Sequence, residues 1–252
     1  MIISKHISYY YSEDRLQYLN KIIHETNSYC YETNIFIHTN ENMKIDQLIS
    51  YTNGSIHIIY HDLTNINPYY LTWKCRSLLY DQRDQYDIFM YIEDDILVPS
   101  KAIEYWLRYN EDLIEMNYNL GFVRIEKDNN NIEYITDLAN QKFNKFLQIK
   151  NFYFCINDKN PYCAFWIYNK KEFNNFVNNK LYNVENINGY GIREMSAIGL
   201  HGKYNNWYKH TLIPMVDGKL IDDCKIYHLP NNYVTNKSSP YATIKFTEAI
   251  KN

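Results

Sequence analysis

Three consecutive acids, Glu93-Asp94-Asp95, close the apolar run YDIFMYI. Adjacent carboxylates repel, and each raises the other's pKa unless a cation or hydrogen-bond donors compensate. A hard divalent cation, Mg²⁺ or Mn²⁺, is the natural compensation. Such ions take oxygen ligands and often bind through one or two protein carboxylates plus the phosphates of a substrate. The plain alternative is a solvated acidic turn at the end of a strand, and the triplet by itself fits both.

A second group is KIYHLPNNY, where His228 follows a short β-type run and precedes a proline that has no N–H for a sheet ladder. A neutral imidazole can ligate Mn²⁺; it can equally hydrogen-bond a loop. A third is Gly189-Tyr-Gly-Ile-Arg-Glu-Met, which sets Arg193 and Glu194 in the first turn of a helix. Acids are favoured there by the helix dipole alone. Lys74 and Arg76, in LTWKCR, offer a point charge and a planar fork for a diphosphate or a base edge, or simply a solvated helix face. Trp73, Trp166 and Trp207 are large enough to stack on a ring but more often serve a core. His61, His201 and His210 have no comparable context.

These residues must be held by a framework, and its outline is periodic. Ile2 to Ser8 reads as a strand, and Glu13 to Thr26 carries Leu16, Leu19, Ile22 and Ile23 at helical spacing behind Ser12 as a cap. NIFIHT and SIHIIY are further β-branched runs. Pro68 to Gln85 reads as a helix leading into YDIFMYI, a near-continuous apolar run of the kind that is covered on both faces. Helix 101 to 116, strand 120 to 126, strand 161 to 169, helix 171 to 179, a helix at IREMSAIGL and the strand KIYHL continue the alternation. Residues 127 to 160 fit no single period and read as an irregular excursion or mobile loop. The expectation is one α/β domain, a Rossmann-like α/β/α sandwich with a mostly parallel sheet over 1–252, and ligands beyond the carboxyl ends of the strands.

At 252 residues the chain can bury roughly 70 to 75% of its unfolded surface. Its net charge of −3 comes from interspersed acids and bases, which leaves no footprint for nucleic acid. No run approaches the roughly 18 apolar residues of a membrane span, and the start of the chain has no long apolar signal region. Five cysteines without paired spacing suggest free thiols and a cytoplasmic setting. Twenty-seven tyrosines and many Asn, Ile and Lys reflect an AT-rich coding style. A phosphate-binding P-loop, GxGxxG, HExxH and GxSxG are all missing from the sequence.

MYIEDDILVP, roughly ninety residues into a β-α chain, resembles the DxD-type metal motif of GT-A glycosyltransferases, and in particular the EDD version of N-acetylglucosaminyltransferase I-type enzymes. The resemblance implies a GT-A fold and a metal-dependent transfer of a sugar from a nucleoside diphosphate donor, UDP above all, to a hydroxyl of a glycan or other acceptor. It implies Asp95 as a direct Mn²⁺ or Mg²⁺ ligand, with Glu93 and Asp94 nearer the ribose and donor sugar and Glu93 also within the metal's reach. His228 falls where such enzymes supply a further ligand. Glu194 falls where inverting members keep a carboxylate base, with Asp222 and Asp223 as rivals; Lys74, Arg76 and Arg193 would meet the nucleotide. Three other readings compete. One is a nucleotidyltransferase, disfavoured because HISYYYSEDR has no glycine for a phosphate loop; another is an inactive adaptor that binds a nucleotide sugar or glycan; the third is an ordinary α/β domain with an acidic surface turn.

Overall fold

A computed structural model describes residues 1–183, 191–198 and 208–251. Its Cα packing resolves two compact units, each built from two segments: Met1–Ile96 with Ala164–Leu200, and Leu97–Cys163 with His201–Asn252.

The first unit is a Rossmann-like α/β/α sandwich. Strands β1 (Ile2–Tyr9), β2 (Glu32–Thr39), β3 (Ile56–Tyr60) and β4 (Ile88–Glu93) are parallel, in the order β4-β1-β2-β3. The strand Phe165–Asn169 adds to the far side of β4, antiparallel to it. Helix α1 (Glu13–Thr26) covers one face, since Lys5 of β1 donates through Nζ to Thr26 Oγ1 at 2.7 Å and to the Tyr29 hydroxyl at 3.0 Å. The opposite face of β1 carries Ser4, His6 and Ser8. There the Ser4 hydroxyl donates to Gln82, which caps α2 (Arg76–Asp81), and the Ser8 hydroxyl donates to the Leu71 carbonyl in the 3-10 turn Pro68–Trp73. Phe89 of β4 stacks on Phe173 of helix Lys170–Val177 with ring centroids 4.1 Å apart, so this helix lies on the same face. Both faces being covered explains why β4 reads as a nearly continuous apolar run.

The order sets the position of any site. From β1 the chain moves outward to β2 and β3, then returns to the other side of β1 as β4. The order reverses between β1 and β4, and the crevice at their carboxyl ends is where open α/β sheets take ligands. Tyr9 ends β1 and Glu93 ends β4.

Several local expectations need correction. Pro68 to Gln85 is not one helix: a 3-10 turn and the six-residue α2 divide it. Ser12 stands at the α1 N-cap but makes no side-chain cap; its carbonyl accepts from Arg15 N and from the Tyr9 hydroxyl. The strand expected over 161–169 begins only at Phe165, because Ala164 takes a φ of 52° and breaks the extended run.

The second unit holds helix Ser100–Glu115 and two small sheets. In one, Phe146–Ile149, Phe152–Ile156, Thr211–Val216 and Lys219–Leu220 run antiparallel in that order. The other joins Val123–Lys127 to Glu133–Ile135 (antiparallel) and to Lys225–His228 (parallel), with Ile244–Lys245 beyond Glu133–Ile135. Residues 127–160 are therefore mostly ordered strand and turn, not an irregular excursion. Their hairpin turns at Lys150-Asn151, where Lys150 supplies the positive φ of 53° that sequence rules assign to Gly or Asn. Phe152, Tyr153 and Phe146 face outward, which hides the period-2 signal. The strand expected at 120–126 is split in two, Asn119–Leu120 and Val123–Lys127.

Among the described residues no helix is long and apolar enough to cross a membrane. All five cysteines are free, four of them buried.

Candidate functional site

The triplet is almost withdrawn from solvent: Glu93, Asp94 and Asp95 are 6%, 5% and 7% exposed. Alternation along β4 sends them to opposite faces. Glu93 is in register with Ser8, on the face of the 3-10 turn, and its Oε2 lies 3.5 Å from Arg193 Nε. Asp94 turns to the α1 face. Arg15, in the first turn of α1, donates through Nε to Asp94 Oδ2 at 2.8 Å and through Nη2 to Asp94 Oδ1; the same Nη2 reaches Asp95 Oδ2 at 2.9 Å.

Charge explains the arrangement. Burial pushes the Asp94 carboxyl up to about 6, with Arg15 hydrogen-bonded to it pulling the other way and the charge of Asp95 adding to the rise. The hydrogen bond to Asp94 in turn raises the Arg15 pKa, so the guanidinium stays charged. Two guanidiniums thus face three carboxylates. Among the described residues no group of three or more His, Cys, Asp or Glu side chains could hold a metal ion. The donor set nevertheless has the hard-oxygen chemistry that Mg²⁺ or Mn²⁺ takes, in the small number expected of an ion whose other ligands are phosphate and water.

Helix Ile192–Ile198 carries Arg193 and Glu194 and is pinned from the 3-10 turn and α2. Trp73 Nε1 donates to the Ile192 carbonyl at 2.7 Å, and Arg76 Nη2 to the Ser196 carbonyl at 3.1 Å. Arg76 also donates to the carbonyls of Leu181 and Tyr182 and lies 3.8 Å over the Trp73 ring. Burial lowers its pKa to about 10. Arg76 is thus committed to backbone, while Lys74 is half-buried at the edge. Glu194 folds back over its own helix start: a Cβ added at Gly191 would stand 2.0 Å from its Oε2. Gly189, Tyr190, His201 and Trp207 lie outside the described residues, and Trp166 is a core residue stacked on Tyr91 and Tyr168.

His228 belongs to the second unit. Its Nδ1 meets Glu126 Oε1 at 2.5 Å, and Glu126 Oε2 accepts from Val234 N at 2.7 Å, which ties the turn after the strand to the sheet. Beside it, Arg124 Nη2 donates to Asp137 Oδ1 at 2.6 Å. Asp222 pairs with Lys225, which also reaches Glu133.

Sequence reasoning missed Arg15 and a row of histidines. His6, His38 and His61 lie on the α2 side of the sheet and are joined by hydrogen bonds. A signal existed: HISYY, IFIHT and SIHIIYH each put a histidine in or directly after an apolar strand run.

No family model and no curated protein matches the chain. Solved structures do. The S. aureus TarS 1-349 crystal structure matches at 9% identity over 93% of this chain and 63% of that one, with a TM-score of 0.45. A second S. aureus TarS crystal structure matches at 9% identity over 69% and 29%, with a TM-score of 0.38. The chain therefore spans less than two thirds of either. Its α/β class rests on its own strand order and register.

Proposed function

We propose that the chain is a metal-dependent glycosyltransferase that moves a hexosyl or N-acetylhexosaminyl group from a nucleoside diphosphate sugar to a hydroxyl of a glycan or other acceptor. The observation that carries this reading is the buried Glu93-Asp94-Asp95 triplet beside Arg15 at the point where the strand order reverses. Buried carboxylates kept charged by guanidiniums are expensive to maintain for structure alone, and their place is where a nucleotide's diphosphate would lie.

In this reading Asp95 would hold Mn²⁺ or Mg²⁺, with Glu93 as a further candidate ligand. The ion would supply Lewis-acid neutralisation of the departing diphosphate. Arg15 and Arg193 set the charge of the acids around it, and Lys74 stands ready for the nucleotide. Trp73 and Arg76 act at one remove, by fixing the helix that presents Arg193 and Glu194. Glu194 is the candidate base that would accept the acceptor's proton, giving inversion at the anomeric carbon.

The test is diphosphate release from a panel of UDP-, GDP- and dTDP-sugars, with and without Mn²⁺, beside Asp95→Ala. Release that needs both the metal and Asp95 is expected. Metal-dependent binding without turnover would instead favour an adaptor, a reading that Arg15's occupation of Asp94 and Asp95 also accommodates. No binding to any donor would overturn the proposal.

A further inference from the structure

Three histidines form one hydrogen-bonded chain running from the sheet interior to its carboxyl edge. His6 Nδ1 lies 2.8 Å from His38 Nε2, and His38 Nδ1 lies 2.8 Å from His61 Nε2. Each pair of rings is close to coplanar, with centroids 5.1 Å apart and interplanar angles of 18° and 17°, as an in-plane N–H···N bond requires. At the inner end, His6 Nε2 lies 3.0 Å from Gln82 Oε1, which also accepts from the Ser4 hydroxyl at 2.7 Å.

The direction of every proton follows from that inner end. Ser4 Oγ also lies 3.0 Å from His6 Nε2 but gives its one hydrogen to Gln82 Oε1, and an amide oxygen only accepts, so His6 Nε2 carries the hydrogen. A neutral imidazole has a single N–H, so His6 Nδ1 is an acceptor and His38 Nε2 must donate to it. By the same step His38 Nδ1 accepts from His61 Nε2. The one nitrogen left over, His61 Nδ1, has no hydrogen-bond partner among the described residues and is an accepting lone pair at the half-buried outer end of the chain.

Burial favours the neutral form of all three rings. His6 and His38 are fully buried, and burial pushes His6 down to about 3 and His38 well below its usual value, with His6 and His61 adding to the effect on His38. Burial also lowers His61, and the charge of Lys74 lowers it further, which places that ammonium within electrostatic reach of the ring.

We propose that His6, His38 and Gln82 form a tautomer lock that presents His61 Nδ1 as a fixed hydrogen-bond acceptor to a nucleobase edge carrying an N–H beside a carbonyl. The imide edge of uracil and the lactam edge of guanine have that pattern. Cytosine and adenine turn a ring-nitrogen acceptor toward the same lone pair, and two facing acceptors leave both unpaired. The ligand class rests on the nucleotide reading above; the lock does not.

The experiment uses the whole chain, labelled with ¹⁵N-histidine, with NMR at neutral pH and titration with UDP and with CDP in the presence of Mg²⁺. In the free protein all three histidines are expected as neutral Nε2–H tautomers, with couplings across the two N–H···N bonds. UDP should shift His61 Nδ1 and bind about tenfold or more tighter than CDP. His61→Ala should abolish that preference while Mg²⁺-dependent binding of both nucleotides persists; Asp95→Ala should weaken both and leave their ratio intact. A His61 protonated on Nδ1 overturns the lock. Equal affinities for UDP and CDP, or UDP binding that leaves His61 unmoved, overturns the ligand class while the proposed function stands. If neither nucleotide binds, the proposed function and the ligand class fall together, and the free-protein tautomers still decide the lock.

Discussion

Arg15 grips Asp94 with two nitrogens, Nε at 2.8 Å from Oδ2 and Nη2 on Oδ1, and so binds the start of α1 to the end of β4. The pair spans the crevice where the sheet order reverses, and the same Nη2 reaches Asp95. A guanidinium in this position does for the folded protein what a divalent cation would do for the loaded site.

Removing it should separate the two roles. In Arg15→Ala the carboxylates of Asp94 and Asp95 lose their nearest cation, and stability should fall by about 1–3 kcal/mol, less than the roughly 3–5 kcal/mol of breaking a fully buried pair because Arg15 is partly exposed and solvent screens it. Mn²⁺ should then restore more stability to Arg15→Ala than it adds to the parent protein. Thermal unfolding of both proteins with and without Mn²⁺ measures this. Equal metal-induced shifts would mean that Arg15 and the ion do not share a site.

Asp95→Asn keeps the volume and removes the charge. It should lower metal-dependent diphosphate release by about 100-fold or more while the far-UV spectrum and unfolding midpoint stay near those of the parent. Steady-state rates across a Mn²⁺ titration check it. Unchanged rates would take Asp95 out of the metal's reach.

The buried histidines predict acid sensitivity. His6 titrates near 3 when folded and near 6.5 when unfolded, so between those values the unfolded chain holds more protons. Stability contributed by the neutral ring is fully present above about 6.5 and is lost as pH falls toward about 3; His38, also lowered, acts in the same direction. Urea unfolding from pH 7 to 4 should show a falling midpoint, and the fall should be shallower in His61→Ala than in any variant that keeps His6 and His38 but loses Gln82. A midpoint independent of pH over this range would contradict burial of neutral rings.

Gly54 tests the turn that brings β3 alongside β2. Its φ is +137°, and an added Cβ would stand 2.3 Å from the Thr33 carbonyl oxygen, a backbone atom with no room to yield. Gly54→Ala should cost about 2 kcal/mol or more, read as a lower chemical-unfolding midpoint. Preceding it, the Asn53 amide donates to the carbonyls of Thr26, Tyr29 and Tyr31, so this Asn-Gly-Ser triplet is a structural turn rather than an open acceptor for a glycan.

Local patterns in the sequence determined the α/β class, the parallel strands β1 to β4, helices such as Glu13–Thr26, and the placing of Glu93-Asp94-Asp95 at a strand end. Each is written within about ten adjacent residues as periodicity, β-branching or consecutive charge. Tertiary structure alone decided which cations meet those acids, because Arg15 stands 79 residues from Asp94 and meets it only when β1 pairs with β4. It likewise committed Arg76 to the carbonyls of Leu181, Tyr182 and Ser196, and His228 to Glu126. The histidine chain is the plainest case. Three isolated imidazoles, on β1, on β2 and just past the end of β3, become one directed series of hydrogen bonds only through the β1-β2-β3 register, and register is a property of pairing that no single strand contains.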